Sequence, residues 1–149
     1  MTPHVLIVEA RFYTDISDQL AAGATAAIEA RGGTFERMAV PGALEIPQVI
    51  RYAVDGAAAG TGKAYDAFVA LGCVIRGETT HYDHVCTESI AGIHRLALDH
   101  SLCVGTGILT CENRDQAWAR AAVDRGNKGK DAVDAALDLL ALKQRLAGA

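Results

Sequence analysis

Ten residues in the middle of the chain, Gly72-Cys73-Val74-Ile75-Arg76-Gly77-Glu78-Thr79-Thr80-His81, hold its densest collection of groups able to bind an anion and move a proton. The segment leaves an apolar run and enters a helical pattern. Free backbone N–H groups at a helix start, with the helix dipole behind them, attract an anion. Gly77 lets the backbone come close, and Thr79 and Thr80 can donate hydroxyls or cap the helix. A phosphate fits this turn, with the amide of Glu78 facing it and the Glu78 carboxylate turned away. The same residues also suit a plain capped polar turn. His81 closes the segment, and an imidazole exchanges protons near neutral pH. His81 and His84 stand at i and i+3 and could ligate zinc with Asp83 or Cys86, but no further ligand set at a recognised spacing follows.

Three other places carry groups of interest. Pro41-Gly42-Ala43-Leu44-Glu45-Ile46-Pro47 bends the chain with two prolines and a glycine. It offers fixed backbone donors and acceptors and one carboxylate, Glu45, suited to the amides of a pyrimidine or the hydroxyls of a sugar alcohol. It would serve equally as a rigid connector with Glu45 in the first helical turn. Phe12 follows the first apolar run, where it could stack on a flat ring or belong to the core. Arg120 and Lys128 could each neutralise a phosphate, arginine with a two-pronged fork, though such residues are more often solvated surface charges.

Alternating strands and helices must position these groups, as hydrophobic periodicity indicates. Strands are expected over residues 4–10, 34–40, 67–73 and 102–109. Helices are expected over 16–31, closed by Gly32-Gly33, then 46–59 and 81–100, and from the N-cap Asn113 to about residue 125. In the last helix Val133, Ala136, Leu137, Leu140 and Ala141 form one core-facing stripe. Leu139, Leu142 and Leu146 lie on other sides and call for a second partner, most simply another subunit. Strand and helix repeated four times specify a mostly parallel sheet with helices on both faces. Ligands bind beyond the carboxyl ends of such strands, which selects residues 11–14, 41–47, 74–81 and 110–113, where the unusual residues collect.

Composition bounds the rest. A chain of 149 residues, half of them apolar, is expected to form one domain, residues 1–149. Fourteen basic against eighteen acidic residues give a net charge of −4 with no basic run, which argues against a nucleic-acid partner. No basic leader precedes the first strand, and no apolar stretch approaches the roughly 18 residues of a membrane span. The four cysteines, Cys73, Cys86, Cys103 and Cys111, contain no C-x-x-C pair and read as reduced thiols of a cytoplasmic protein.

Residues 40–47 (VPGALEIP) and 71–85 (LGCVIRGETTHYDHV), followed by 107–113 (GILTCEN), Gln116-Ala117 and Gly126-Asn127-Lys128-Gly129, resemble the lumazine synthase family over nearly the whole chain. The resemblance implies a flavodoxin-like three-layer αβα sandwich with a four-stranded, mainly parallel sheet. It implies condensation of 5-amino-6-(D-ribitylamino)uracil with 3,4-dihydroxy-2-butanone 4-phosphate to 6,7-dimethyl-8-ribityllumazine, phosphate and water, with no cofactor or metal. Carried over by position, Phe12 would stack on the pyrimidine, and Ala43, Leu44, Glu45, Cys73, Val74 and Ile75 would hold its ring and ribityl chain. Glu78 and Thr79 would bind phosphate, Arg120 would pair with it, Lys128 would support that charge, and His81 would be the acid/base. The Thr106, Arg120 and Lys128 side would come from a neighbouring subunit, so a monomer would be inactive.

Three positions depart from the family pattern. Thr106 stands where many members have an aromatic residue, Tyr13 replaces a commoner small polar one, and residues 123–127 lack the loop associated with sixty-subunit shells. A free pentamer is therefore expected. A signalling receiver domain would need an aspartate where the third strand ends in Gly72-Cys73. A scaffold that kept the fold without activity would have no need of an acid/base histidine beside an anion site.

Overall fold

A computed structural model describes residues 1–148, so the last residue of the expected domain, Ala149, lies outside the described residues. Strands β1 (His4–Ala10), β2 (Thr34–Val40), β3 (Ala67–Ile75) and β4 (Val104–Cys111) form one sheet in the order β2-β1-β3-β4. Each neighbouring pair is parallel. This is the flavodoxin-like winding order, with no fifth strand among the described residues. Parallel pairing puts the four carboxyl ends, at Ala10, Val40, Ile75 and Cys111, on one edge of the sheet.

The pleat of β1 divides the core. Val5 and Ile7 point to one face and pack with Ile16, Leu20 and Ile28 of α1 (Thr14–Ala30), Ala117 and Ala121 of α4 (Arg114–Ala121), and Val133, Ala136 and Leu137 of α5 (Lys128–Leu146). Leu6 and Val8 point the other way, to Ile46 and Ile50 of α2 (Ile46–Ala59) and Val85 and Ile93 of α3 (His81–His100). Both faces of β1 and β3 are covered, which is why these strands read as unbroken apolar runs. Gly105 brings β4 close beneath α5: a Cβ there would stand 1.7 Å from the carbonyl oxygen of Ala132.

Several boundaries differ from expectation. The fourth strand runs from Val104 rather than 102, because the N–H of Leu102 is taken by Ala97 O at 2.9 Å and Ser101 turns left-handed (φ 54) to end α3. It continues to Cys111 because β3 itself extends two residues past Cys73, pairing Ile75 with Cys111. The helix after β4 stops at Ala121, since Ala122 is extended (ψ 133) and its carbonyl accepts from Asn127 instead. Its start is as expected: Asn113 Oδ1 accepts from Gln116 N at 2.9 Å. Leu139, Leu142 and Leu146 of α5 are left 44%, 50% and 85% exposed.

Candidate active site

The chain leaves β1 toward β2 on one side and returns across it to β3 on the other. The crevice at such a reversal, beyond the strand ends, is where doubly wound sheets bind ligands. A cavity of about 390 Å³ opens there. It is lined by Phe12 and Tyr13 after β1, Pro41, Gly42, Leu44 and Glu45 after β2, Cys73, Val74 and Ile75 at the end of β3, and His81 and Val85 of α3. Apart from Glu45, His81, Tyr13 and Cys73, the lining side chains are apolar. That suits an uncharged planar ligand with a few polar edges.

Phe12 is 73% exposed, resting against Tyr13 with ring centroids 5.0 Å apart at 73°. The T-shaped contact leaves a face of Phe12 free to receive a flat ring. The Tyr13 phenol is pushed up by burial and by the neighbouring Cys73. Burial, reinforced by Cys111, pushes the Cys73 thiol up to about 12, so it stays protonated at neutral pH and is no nucleophile. Ala43, in the 3-10 turn Ala43–Glu45, is only 5% exposed and packs into the core beside Ile46, so its contribution here is backbone.

The turn from 76 to 80 is exposed. Its base is fixed by Arg76, whose N–H donates to Cys111 O at 2.9 Å and whose Nε donates to Glu112 Oε2 at 2.8 Å. The same guanidinium lies 4.4 Å from the centroid of the Tyr82 ring. Thr79 Oγ1 accepts from the His81 N–H at 3.3 Å, whereas Thr80, at the N-cap, makes no side-chain cap bond. Glu78 and Thr79 sit at the mouth of the turn, outside the lining of the cavity. His84 is exposed, and among the described residues no group of three His, Cys, Asp or Glu could hold a metal ion, so zinc at residues 81–86 lacks a ligand set.

Thr106, Arg120 and Lys128 come together, but elsewhere. They line a second cavity of about 350 Å³ along the outer edge of the sheet, with Thr110 of β4 and Asp131 of α5. The two cavities share no lining residue. Arg120 Nη1 donates to Gln116 O at 3.0 Å, and Lys128 Nζ stands 3.4 Å from the Asp131 carboxylate. Within one chain the cations are therefore not brought to His81.

Tyr13, Pro41 and Gly42 fall within the segments 11–14 and 41–47 that the sequence selects but were not named as site residues, Val85 lies outside those segments, and Glu9 was given no role. That carboxylate is 3% exposed near the end of β1, accepting from Arg11 Nη1 at 2.7 Å and from Arg37 Nη2 at 3.0 Å. Arg11 also donates to Asp18 of α1. An acid inside the apolar run of residues 4–10 was the available signal, since a buried carboxylate must be paired.

A family model described as 6,7-dimethyl-8-ribityllumazine synthase matches residues 2–144. The 6,7-dimethyl-8-ribityllumazine synthase 1 of Rhizobium meliloti is 55% identical over 96% of this chain and 93% of its own length. That of Mesorhizobium japonicum, also called synthase 1, is 52% identical over 96% and 87%. The Agrobacterium fabrum 6,7-dimethyl-8-ribityllumazine synthase is 53% identical over 98% of both chains.

Proposed function

The chain belongs to the 6,7-dimethyl-8-ribityllumazine synthase family, and from that premise we propose that the cavity between β1 and β3 is its pyrimidine site, with His81 as the acid/base. The enzyme is a transferase of riboflavin biosynthesis. It condenses 5-amino-6-(D-ribitylamino)uracil with 3,4-dihydroxy-2-butanone 4-phosphate, giving 6,7-dimethyl-8-ribityllumazine, phosphate and water. The observation that carries the site reading is the convergence of Phe12, Glu45 and His81 on one largely apolar cavity.

In this reading the pyrimidine lies on Phe12, with its amides toward Glu45 and the backbone of residues 43–45, and the ribityl chain runs along residues 73–75. The phosphate of the second substrate meets the amides of Glu78 and Thr79. Its remaining charge is met by Arg120, with Lys128 beside it, from a neighbouring subunit. Thr106 of that neighbour leaves its wall of the ring pocket short and polar. What favours a composite site is the separation of the two cavities in one chain, together with Phe12 and the α5 leucines standing uncovered. Residues 1–149 then act as one domain repeated around a homopentamer in the cytoplasm, a compartment suited to four unpaired cysteines.

The reactive amine and ketone come from the substrates. Imine formation, loss of phosphate, ring closure and dehydration each move protons, which His81 at the cavity wall is placed to relay. Holding two substrates together supplies much of the acceleration, and His81 adds about 10²-fold. The test is to mix the protein with both substrates and follow the lumazine by absorbance and fluorescence. Product well above the enzyme-free background, reduced about 10²-fold in His81→Ala and at least as far in Arg120→Ala, is the expected result. Background-level product from the folded, assembled wild type would overturn the reading.

A further inference from the structure

We infer that Glu9 is a positioning residue for pyrimidine binding: through Arg11 it fixes the strand end that presents Phe12 to the cavity. This rests on the reading above that Phe12 stacks on the pyrimidine. Glu9 lies 3% exposed near the end of β1, where its carboxylate accepts from Arg37 of β2 and from Arg11 of the loop that follows β1. Arg11 extends the network by donating to Asp18 of α1. One buried acid therefore ties β1, β2 and the loop together, and Arg11 carries the tie on to α1.

The geometry has a consequence for the next residue. Arg11 is the first residue past β1 and is held by two carboxylates, Glu9 of β1 and Asp18 of α1, and the chain bends at the next two residues. Arg11 thereby anchors the start of the bend from which Phe12 enters the cavity lining. Little else holds it, since its ring touches Tyr13 and is otherwise 73% exposed. The Arg11 N–H reaches Val40 O only at 3.4 Å, a weak backbone tether. Replacing a buried ion pair by apolar groups is commonly neutral for stability. A leucine or valine at position 9 would have continued the apolar run equally well. What the carboxylate adds is a fixed direction for Arg11.

The test is steady-state kinetics, varying each substrate in turn, on Glu9→Gln, Asp18→Asn, Phe12→Ala and the double variant Glu9→Gln with Phe12→Ala. Glu9→Gln is expected to raise KM for the pyrimidine about 5-fold and to leave KM for the butanone phosphate within about 2-fold. Asp18→Asn, at a side chain 61% exposed and therefore tolerant of change, should move the pyrimidine KM in the same direction by about 2-fold. In the Phe12→Ala background the effect of Glu9→Gln should vanish, because the two act through one contact. If Glu9→Gln does not fold, Asp18→Asn and Arg11→Lys carry the same comparison with Phe12→Ala. Effects that add to that of Phe12→Ala, or a loss of kcat that tracks the folded fraction with both KM values unchanged, would overturn the inference. A Phe12→Ala enzyme with an unchanged pyrimidine KM would instead remove the stacking reading on which it rests.

Discussion

Two inactive variants mixed together should regain activity, and the amount recovered depends on which chain supplies each half of the site. His81 lines the cavity at the reversal of the sheet, whereas Arg120 lines a separate cavity on its outer edge. Both residues are exposed, so alanine at either position should leave the fold intact. His81→Ala is expected at about 1% of wild-type activity, and Arg120→Ala, which loses a charged fork to the phosphate, at about 1% or below. In a ring of head-to-tail contacts each site takes its His81 half from one subunit and its Arg120 half from the next. After the two variants are unfolded together in equal amounts and refolded, half the subunits keep His81 and the other half keep Arg120. Random assembly then makes about one site in four wild type, so roughly 25% of the activity returns. Absorbance of the lumazine product measures it, with the separately refolded parents as blanks. If one chain supplied both halves, no site in the mixture could be intact, and activity would stay at the parents' mean of about 1%. That result would refute the composite site.

Gly105→Ala should lower thermal stability by roughly 2–3 kcal/mol or more, since its Cβ would meet the Ala132 carbonyl oxygen at 1.7 Å and α5 would have to lift off β4; thermal unfolding followed by circular dichroism checks it, and an unchanged Tm would contradict the packing described. Burial alone would raise the Glu9 carboxyl, but hydrogen bonds from Arg37 and Arg11 outweigh it and hold the group below its ordinary value. A depressed folded-state value stabilises the protein above the unfolded carboxyl pKa of about 4.3. That contribution is lost as pH falls through the folded value, so the stability gap between wild type and Glu9→Gln should narrow below about pH 4 in urea titrations; a constant gap would show that the charge does not matter. With its thiol pushed up to about 12, Cys73 should resist iodoacetamide at pH 8 in the native enzyme, and mass spectrometry that finds it alkylated before half-buried Cys86 would contradict the burial.

Legibility in the sequence follows how local each cause is. The parallel sheet and its two packed faces could be read because both faces of β1 and β3 are buried, and a strand covered on both sides is apolar along its length, whereas the strand order β2-β1-β3-β4 came from the structure. The end of β3 was harder to place. Val74 and Ile75 are as apolar as the strand before them, and only pairing with β4, which extends to Cys111, decides that they belong to it. Leu102 was misplaced for a related reason: its apolar side chain suits a strand, but its N–H completes the left-handed end of α3 at Ser101. Residue type alone does not report such hydrogen bonds.

For the site, the turn chemistry around residues 41–47 and 72–81 was legible because proline, glycine and threonine restrict backbone locally. Phe12 could not be told from a core residue by its type, and it took the fold to leave it 73% exposed over the cavity. Arg120 and Lys128 pose the opposite problem. Nothing local separates them from solvated charges, and folding a single chain places them in a cavity that shares no lining residue with that of His81. If they serve the reaction, their selection acts on a surface that the isolated chain does not complete. The same reasoning applies to Thr106, exposed beside both cations on the edge strand, where a change of character would not disturb this chain's own core. A change there alters only what the neighbouring cavity sees, so substitution at Thr106 should tune pyrimidine binding while leaving folding and the Glu9 network untouched.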